Sequence, residues 1–256
     1  LNQIVQYATS SVIATTSIAW ISLRMLGIQT QGEHVISILA LNLAAPPVTR
    51  AKDLLAWLWL QPEHVWVLTD SGKGAGGRLI KDVCLAAGDA VEFSEHVIVV
   101  SRERPLTALP SPSPRTCAVE VEGLRLLGVY GAASDPVRYS SAAQRQRKRQ
   151  WLAEFEPMLA SYDVVVGDLN IAPAKSLPYV LDEEVAVYER SPLRDAWSLL
   201  HEDEQPSWID HSGGGIRYDQ AWVGDVEVIS CELDQHPRES GLSDHAALRL
   251  ALSTGP

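Results

Sequence analysis

Hydrophobic positions along the chain follow two alternating patterns from residue 34 onward. Short apolar runs, typical of buried strands, occupy residues 35–43, 65–70, 96–101, 116–123, 124–130, 164–170, 217–224, 225–230 and 245–252. Apolar residues at helical spacing predict helices at 48–60, within 71–88 after a glycine-rich turn, at 140–162 and at 193–200. The adjoining runs at 116–130 predict a hairpin that turns at Glu122 and Gly123. Because strands outnumber helices, and hairpins mix with crossovers, we predict an α/β fold in which a two-sheet mixed β-sandwich is flanked by helices, not a doubly wound parallel sheet.

The first 33 residues stand apart from this pattern. Their apolar run at 8–23 is rich in Ser and Thr and is followed at once by Arg24, whereas a spanning helix needs about 18 or more continuous apolar residues. We therefore predict no stable membrane span; a remnant of an upstream anchor near a membrane, and an extra element packed on the domain, are the alternatives. The expected organisation is an N-terminal extension of unknown role at 1–33 and one domain at 34–256.

Composition narrows the class of protein. The 256 residues are 46% hydrophobic, which excludes a disordered chain and supplies a sizeable core. A formal net charge of -11 argues against a protein that coats duplex nucleic acid by charge alone, but it leaves room for local basic contacts. Cys84, Cys117 and Cys231 lie far apart without a CxxC pair, which argues against a disulfide scaffold or zinc site and favours a reduced, cytoplasmic location. The sequence carries no signal for an oligomeric state.

Polar residues stand next to the ends of several predicted strands. They are Asn42, Asp70, Asp168, Asn170, Asp219, Asp244 and His245. Taken singly, most of them are explained as well by a turn or a cap. Strands of one sheet end along a common edge, however, so these side chains can meet at one face. Carboxylate and amide oxygens with one His suit a hard divalent cation such as Mg²⁺.

On these residues the chain resembles the endonuclease/exonuclease/phosphatase superfamily, which has the DNase-I-like fold. The segments GDLN at 167–170 and SDH at 243–245 carry the resemblance, and LALNL at 39–43 and RYDQAWV at 217–223 support it. The resemblance implies a four-layer α/β sandwich whose domain at 34–256 is catalytic, with the active centre at one edge. It also implies a metal-dependent phosphoric-ester hydrolase with nuclease or phosphatase activity.

The resemblance further implies the metal ligands. Asn42 and Asp70 would hold Mg²⁺, or Mn²⁺ in its place, with Asp244 nearby. Tyr130 stands where exonuclease-III-like members have Tyr and would belong to the catalytic set; a packed aromatic with a satisfied hydroxyl is the alternative. The family normally has Glu where this chain has Asp70; because Asp is shorter by one methylene, we expect the metal to shift, to be held through water, or to bind more weakly.

The remaining catalytic roles follow from the same resemblance. Asp168 would orient or deprotonate the attacking water, and Asn170 would bind the scissile phosphate or orient Asp168. His245 would contact the phosphate or act as an acid–base partner, and Asp219 would fix its ring. Gln220 departs from the aromatic or His that usually follows this Asp, and we expect it to alter only local packing.

Three features outside these motifs have two interpretations each. The glycine-rich run at 72–77 is a flexible turn or a phosphate contact beside Asp70. The basic cluster of Arg145, Arg147, Lys148 and Arg149 is a solvated helix face or a contact to a nucleic-acid backbone. Trp208 is a core residue or stacks on substrate.

The sequence favours a nuclease that cleaves DNA or RNA, endo or exo, by metal-assisted attack of water on phosphate. A phosphatase or phosphodiesterase acting on a lipid headgroup or a small phosphate ester uses the same centre and stays open, supported by the acidic net charge. A non-catalytic binding module with a decayed site is the third hypothesis, supported by Asp70 in place of Glu.

Overall fold

Two six-stranded mixed sheets lie face to face at the centre of the structure, a computed structural model that describes residues 35–133 and 142–255. In chain order the strands are β1 (Val35–Asn42), β2 (Val65–Thr69), β3 (Ala90–Phe93), β4 (Ile98–Ser101), β5 (Thr107–Ala108), β6 (Thr116–Val121), β7 (Leu124–Tyr130), β8 (Val164–Asp168), β9 (Arg194–Asp195), β10 (Trp208–Ile209), β11 (Gly215–Ile216), β12 (Asp219–Val223), β13 (Glu227–Asp234) and β14 (Ala247–Ser253). The helices are α1 (Val48–Leu58), α2 (Ala75–Ala87), α3 (Ala142–Phe155), the 3-10 helix Glu156–Ser161, α4 (Asp182–Arg190) and α5 (His236–Glu239). The predicted extension at 1–33 lies outside the described residues, so its assignment stays a prediction.

The strand order confirms the predicted mixed sandwich. The first sheet runs β13-β14-β1-β2-β4-β3, the second runs β5-β6-β7-β8-β12-β9, and β10 and β11 form a separate two-stranded ribbon. Each large sheet has one parallel pair among its described strands, β1 with β2 and β7 with β8, while its other pairs are antiparallel. The predicted hairpin joins β6 to β7, with positive φ angles of 51° at Glu122 and 80° at Gly123.

Alternate residues of one strand face different layers. In β1, Ile36 and Ile38 join the cluster between the two sheets, whereas Leu39 and Leu41 pack under α1 and α2. The second sheet is covered on its outer face by α3 and α4. Each fully buried Leu or Ile contributes roughly 1.5–3 kcal/mol relative to exposure, so the alternation fixes which face of each strand is inward. The result is a four-layer α/β/β/α sandwich.

Several segments differ from the prediction, which did not include β3, β5, β10, β11, α4 or α5 and placed one helix where none forms. The helix expected at 193–200 is wrong, because the segment forms the short strand β9 followed by turns. The Asp195 carboxylate accepts a hydrogen bond from the backbone N–H of Trp197 at 3.2 Å, a local bond that competes with helix formation. Conversely, α4 was not predicted, because its apolar positions are few. Three acidic residues in its first turn favour a helix N-terminus at that point.

The helices and the cysteines are the features that bear on cellular location. Within the described ranges, no helix has both the length and the apolar character needed to cross a bilayer. The three cysteines are buried free thiols. The predicted cytoplasmic location stays a prediction.

The strands bring the polar residues to one end of the sandwich. The strand β1 ends at Asn42, paired with Thr69 of β2, so Asp70 follows directly beside it. In the second sheet Asp168 ends β8 and pairs with Tyr130 on one side and with Asp219 on the other. Both sheets therefore deliver their polar strand ends to the same edge, as the sequence predicted.

Candidate functional site

A cavity of about 500 Å³ opens at this end of the sandwich. Seven of the eight side chains predicted from the sequence line it, namely Asn42, Asp70, Tyr130, Asp168, Asn170, Asp244 and His245. The eighth, Asp219, is fully buried and lies behind the ring of His245. The fold thus gathers residues that are up to two hundred positions apart in the chain.

Asp168 lies at the buried centre of the cavity wall. Its Oδ2 accepts a hydrogen bond from Asn42 Nδ2 at 2.7 Å, and its Oδ1 accepts one from the backbone N–H of Asn170 at 3.0 Å. Asn170 has a φ of 50°, a conformation that Asn tolerates better than most residues. Gly167 has a φ of 138°, and a Cβ there would lie 2.3 Å from the carbonyl oxygen of Val129. The turn after β8 is therefore held in a single geometry by residue types that permit it.

The Asp168 carboxyl titrates close to neutral pH. Burial raises its pKa to about 7, and the negative charge of Asp219 acts in the same direction. The charge of His245 and the hydrogen bond from Asn42 oppose this rise. A carboxyl in this state gives up and takes back a proton under physiological conditions.

His245 and Asp219 form a buried pair. The distance between His245 Nδ1 and Asp219 Oδ2 is 2.7 Å, and the other oxygen of Asp219 has no hydrogen-bond partner among the described residues. Burial lowers the pKa of His245, but the charge and hydrogen bond of Asp219, together with the charges of Asp168 and Asp244, outweigh burial and raise that pKa to about 10. The Ser243 hydroxyl accepts from the His245 backbone N–H at 3.1 Å and donates to the Asn42 carbonyl oxygen at 2.5 Å, which ties the SDH segment to β1. The imidazole is thus fixed in direction and protonated at neutral pH.

Asp70 and Tyr130 form the opposite side of the cavity. The Tyr130 hydroxyl donates a hydrogen bond to the Asp70 carboxylate. Burial raises the pKa of the Asp70 carboxyl; the bond from Tyr130 opposes this rise, and the charge of Asp244 adds to it. Asp70 also has a φ of 44°, in the left-handed region, so the chain turns sharply as it leaves β2.

The oxygen donors at this side suit Mg²⁺. The carboxylates of Asp70 and Asp244 repel each other across the cavity, and a cation between them would remove that repulsion. Asn42 Oδ1 accepts a single hydrogen bond, from Ala44 N–H at 2.8 Å, which leaves a lone pair for a further contact. In the described part of the chain, no three His, Cys, Asp or Glu side chains form a metal site by themselves. The donor set therefore fits an ion that takes one or two carboxylates and completes its shell with water and phosphate.

Further aromatic, amide and cationic side chains without a predicted role complete the walls. They are Arg115, Gln144, Trp151, Tyr179 and Tyr218. Trp208 also lines the cavity; it is partly exposed and its ring centroid lies 5.7 Å from that of Tyr218. Trp208 also packs against the buried cluster of Ala172, Val180, Ile216 and Tyr218, so its position is compatible with both interpretations.

Arg115 is held against Tyr130. Its Nη1 donates to the carbonyl oxygens of Tyr130 and Gly131, at 3.3 and 3.2 Å, and its guanidinium lies 5.1 Å from the centroid of the Tyr130 ring. No sequence motif indicates Arg115, because its partners are backbone atoms at the end of β7.

The glycine-rich run at 72–77 serves packing and does not line the cavity. A Cβ at Gly76 would lie 2.0 Å from the carbonyl oxygen of Pro46, and one at Gly77 would lie 2.1 Å from that of Ser71. Lys73 forms an ion pair with Glu95 at 2.9 Å. These glycines let the start of α2 approach neighbouring backbone closely.

Gln220 makes local contacts, as expected. It is fully buried, and its Nε2 donates to the carbonyl oxygens of Ile171 and, at 2.7 Å, Arg217. Its Oε1 accepts from Trp222 Nε1 at 2.8 Å. The residue holds β12 to the segment that follows Asn170.

Comparisons with known proteins bear on the fold. No protein-family profile matches the chain, and no curated protein is significantly similar to it in sequence. Solved structures do match. An AP endonuclease from Archaeoglobus fulgidus has a TM-score of 0.69 and 17% identity, covering 84% of this chain and 98% of its own. A 3′-5′ exonuclease from Neisseria meningitidis has a TM-score of 0.67 and 21% identity, with the same coverage.

A third match carries the name of the superfamily. The endonuclease/exonuclease/phosphatase protein from Beutenbergia cavernae has a TM-score of 0.61 and 16% identity, covering 86% of this chain and 72% of its own. At such identities the likeness is one of fold. The chain has the DNase-I-like fold, which confirms the resemblance found in the sequence at that level.

Proposed function

We propose that this chain, a protein of the DNase-I-like fold, is a divalent-metal-dependent phosphodiester hydrolase that cleaves nucleic acid. The observation that carries the proposal is the meeting, in one cavity, of the Asp168 carboxyl, held by Asn42, and the His245 imidazole, held by Asp219. The surroundings raise both pKa values, that of Asp168 to about 7 and that of His245 to about 10. Acid–base chemistry at neutral pH needs such a pair. Two of the solved structures with a similar fold are nucleases by name, which supports nucleic acid as the substrate.

Asp168 is the group that accepts the proton of the attacking water. At pH 7 about half of it is ionised, and the ionised form is the one that can act as a base. Asn42 and Asn170 hold its two oxygens, so the carboxylate cannot rotate away from the cavity. General-base catalysis of this kind is worth about 10²- to 10⁴-fold in rate.

His245 is the cationic partner. Its protonated ring donates to a phosphate oxygen and can deliver a proton to the leaving oxygen, while Asp219 holds the ring and its charge. Asn170 supplies a neutral amide on the same wall; its Nδ2 donates to the carbonyl oxygen of Gly131 at 3.3 Å, which fixes the amide plane. These groups meet the negative charge that builds up on the phosphate.

Asp70, Asp244 and Asn42 would hold Mg²⁺ or Mn²⁺, which neutralises phosphate charge and stabilises the leaving oxygen when bound. Tyr130 donates to Asp70 and so positions that carboxylate for the ion. The shorter side chain of Asp70, compared with the Glu usual at this place, is compatible with this role when Tyr130 holds it.

The proposal is tested by incubating purified protein with end-labelled single- and double-stranded DNA and RNA, with Mg²⁺, Mn²⁺ or EDTA. We expect cleavage with metal and none with EDTA. The variant Asp168→Asn should lose about 100-fold or more in kcat, whereas Asp225→Asn, an exposed carboxylate on the turn after β12, should match the wild type. Absence of cleavage of all four nucleic acids with either metal would refute the proposal.

Two outcomes would point to the other hypotheses. Turnover of phosphoinositides or sphingomyelin, with nucleic acids untouched, would assign the same centre to a lipid headgroup. If the protein hydrolyses none of these phosphate esters, and calorimetry detects no binding of Mg²⁺ or Mn²⁺, the chain would be a binding module with a decayed site.

A further inference from the structure

The basic cluster at the start of α3 divides into residues with different surroundings. Lys148 is fully buried, and its Nζ lies 2.8 Å from Glu184 Oε1, itself fully buried. Arg149 Nε pairs with Glu183 Oε1 at 2.7 Å on the surface. Neither interpretation of the cluster in the sequence therefore holds for all four residues.

The two remaining arginines point to different places. Arg145 is exposed and lines a separate polar groove between α3 and α4, which we call the side groove; it is bordered by Lys175 and Asp182. Arg147, also exposed, lines the cavity that contains Asp168 and His245. Two neighbouring arginines of one helix thus form a natural pair for comparison, one in the cavity and one outside it.

The packing of α3 sets the position of Arg147 next to the cavity. Lys148 and Trp151, three residues apart, face inward, and the Trp151 ring stacks on Phe155 with centroids 4.7 Å apart. A Cβ at Gly131 would lie 3.0 Å from the edge of the Trp151 ring, so the helix packs directly against the chain that leaves β7. Because the buried pair of Lys148 with Glu184 sets the rotation of the helix, the backbone of Arg147 is held beside the cavity that its side chain lines.

Arg147 lines the cavity from a different structural element than the polar residues at the strand ends. Asp70, Asp168, Asp244 and His245 all come from the ends of strands or the turns next to them, whereas Arg147 reaches the cavity from a helix, beside Gln144 and Trp151. No carboxylate of the described residues pairs with Arg147. A ligand with a single phosphate at the strand ends is met by His245 and Asn170 and has no need of a cation on α3, whereas a strand with a further phosphate does.

We propose that Arg147 binds a non-scissile phosphate, so that the cavity takes a nucleic-acid strand with at least one phosphate beyond the bond that is cut. This inference rests on the proposed function and narrows it, because a polyanionic strand is distinguished from a small phosphate ester. Arg147 is a substrate-binding residue in this account and takes no part in proton transfer. An arginine matches phosphate geometry with two parallel hydrogen bonds.

The test compares Arg147→Ala, Arg147→Lys and the control Arg145→Ala on two substrates. One is a labelled single-stranded oligonucleotide, and the other is thymidine 5′-(p-nitrophenyl) phosphate, which has a single phosphodiester. For Arg147→Ala we expect KM for the oligonucleotide to rise roughly five- to twentyfold, with kcat changed less than about twofold and no change on the single diester. The slope of log KM against log salt between about 50 and 200 mM should fall by about 0.7. Arg147→Lys should keep that slope, and Arg145→Ala should match the wild type on both substrates.

Each other result overturns the inference. Equal losses on both substrates would mean that Arg147 shapes the cavity and does not bind a second phosphate. Unchanged KM and salt slope in Arg147→Ala, or a change equal to that in Arg145→Ala, would mean that it binds no phosphate. In either case wild-type cleavage of the oligonucleotide would leave the proposed function standing. A wild-type protein that cleaves neither substrate, or the single diester alone, would contradict both this inference and nucleic acid as the substrate.

Discussion

The charge of Asp219 offers the sharpest perturbation of the site. In the wild type, His245 Nδ1 lies 2.7 Å from Asp219 Oδ2. The variant Asp219→Asn removes the negative charge but keeps an oxygen that can accept this hydrogen bond. The ring therefore stays oriented while its electrostatic support is lost. Because the charge and hydrogen bond of Asp219 are the largest contributions that raise the pKa of His245, whereas burial lowers it, we expect that pKa to fall from about 10 to about the ordinary imidazole value of 6.5.

The size of the effect on rate follows from the fraction of protonated His245. At pH 8 a group with a pKa of about 10 is about 99% protonated, whereas a group with a pKa of about 6.5 is about 3% protonated. If the protonated ring is the active form, kcat at pH 8 falls about thirtyfold. At pH 6 about three quarters of the variant ring is still protonated, so the loss shrinks to less than twofold. The negative charge of Asp219 also raises the pKa of Asp168, so the acidic limb of the profile should move to lower pH as well.

The assay is kcat on a saturating labelled oligonucleotide between about pH 6 and pH 9, for the wild type, Asp219→Asn and the exposed control Asp225→Asn. The ratio of variant to wild-type kcat should rise at least tenfold as the pH is lowered across that range. A ratio that is low but constant at every pH would mean that Asp219 acts through structure alone. A profile identical to the wild type would refute the role of the pair altogether.

The remaining predictions concern the metal, the turn after β8 and the buried ion pair. Asp70→Ala should raise the Mg²⁺ concentration for half-maximal activity about tenfold or more, read from metal titrations after EDTA treatment, because it removes one of two carboxylates; an unchanged titration would exclude Asp70 as a ligand. Gly167→Ala should lower the free energy of unfolding in urea by more than about 2 kcal/mol, since its Cβ meets backbone at 2.3 Å, whereas Gly74→Ala, with nothing within 4 Å, should stay within about 1 kcal/mol of the wild type. Glu184→Ala should cost about 3–5 kcal/mol in the same assay, because it leaves the charge of Lys148 buried without its carboxylate; a loss below about 1 kcal/mol would contradict this.

The strands of the two sheets were predictable because the apolar runs that indicate a strand also supply the buried residues of the core. Ile36 and Ile38 alternate with Leu39 and Leu41 in the register that the two faces of β1 require. The ends of the strands were predictable for the same reason, since a polar residue such as Asp168 after a run of valines can only stand at an edge. The short strand β9 was mistaken for a helix because its apolar spacing gave no sign of the bond from Asp195 to the next turn.

The walls of the cavity were beyond prediction because they depend on contacts between distant segments. Arg115 is held by carbonyl oxygens of the neighbouring strand, and Trp151 is placed by the rotation of α3. The division of the basic cluster likewise depends on Glu184, which belongs to a helix that the sequence pattern did not indicate. Motifs therefore predicted the strand-end residues, whereas the placement of the other residues that line the cavity emerged only from the tertiary structure.

The most direct measurement of the central claim is a crystal structure of the protein soaked with Mn²⁺ and a nucleoside monophosphate. We expect an anomalous peak at Asp70 and Asp244 and a phosphate in contact with His245 and Asn170. A metal bound elsewhere, with the phosphate outside this cavity, would contradict it.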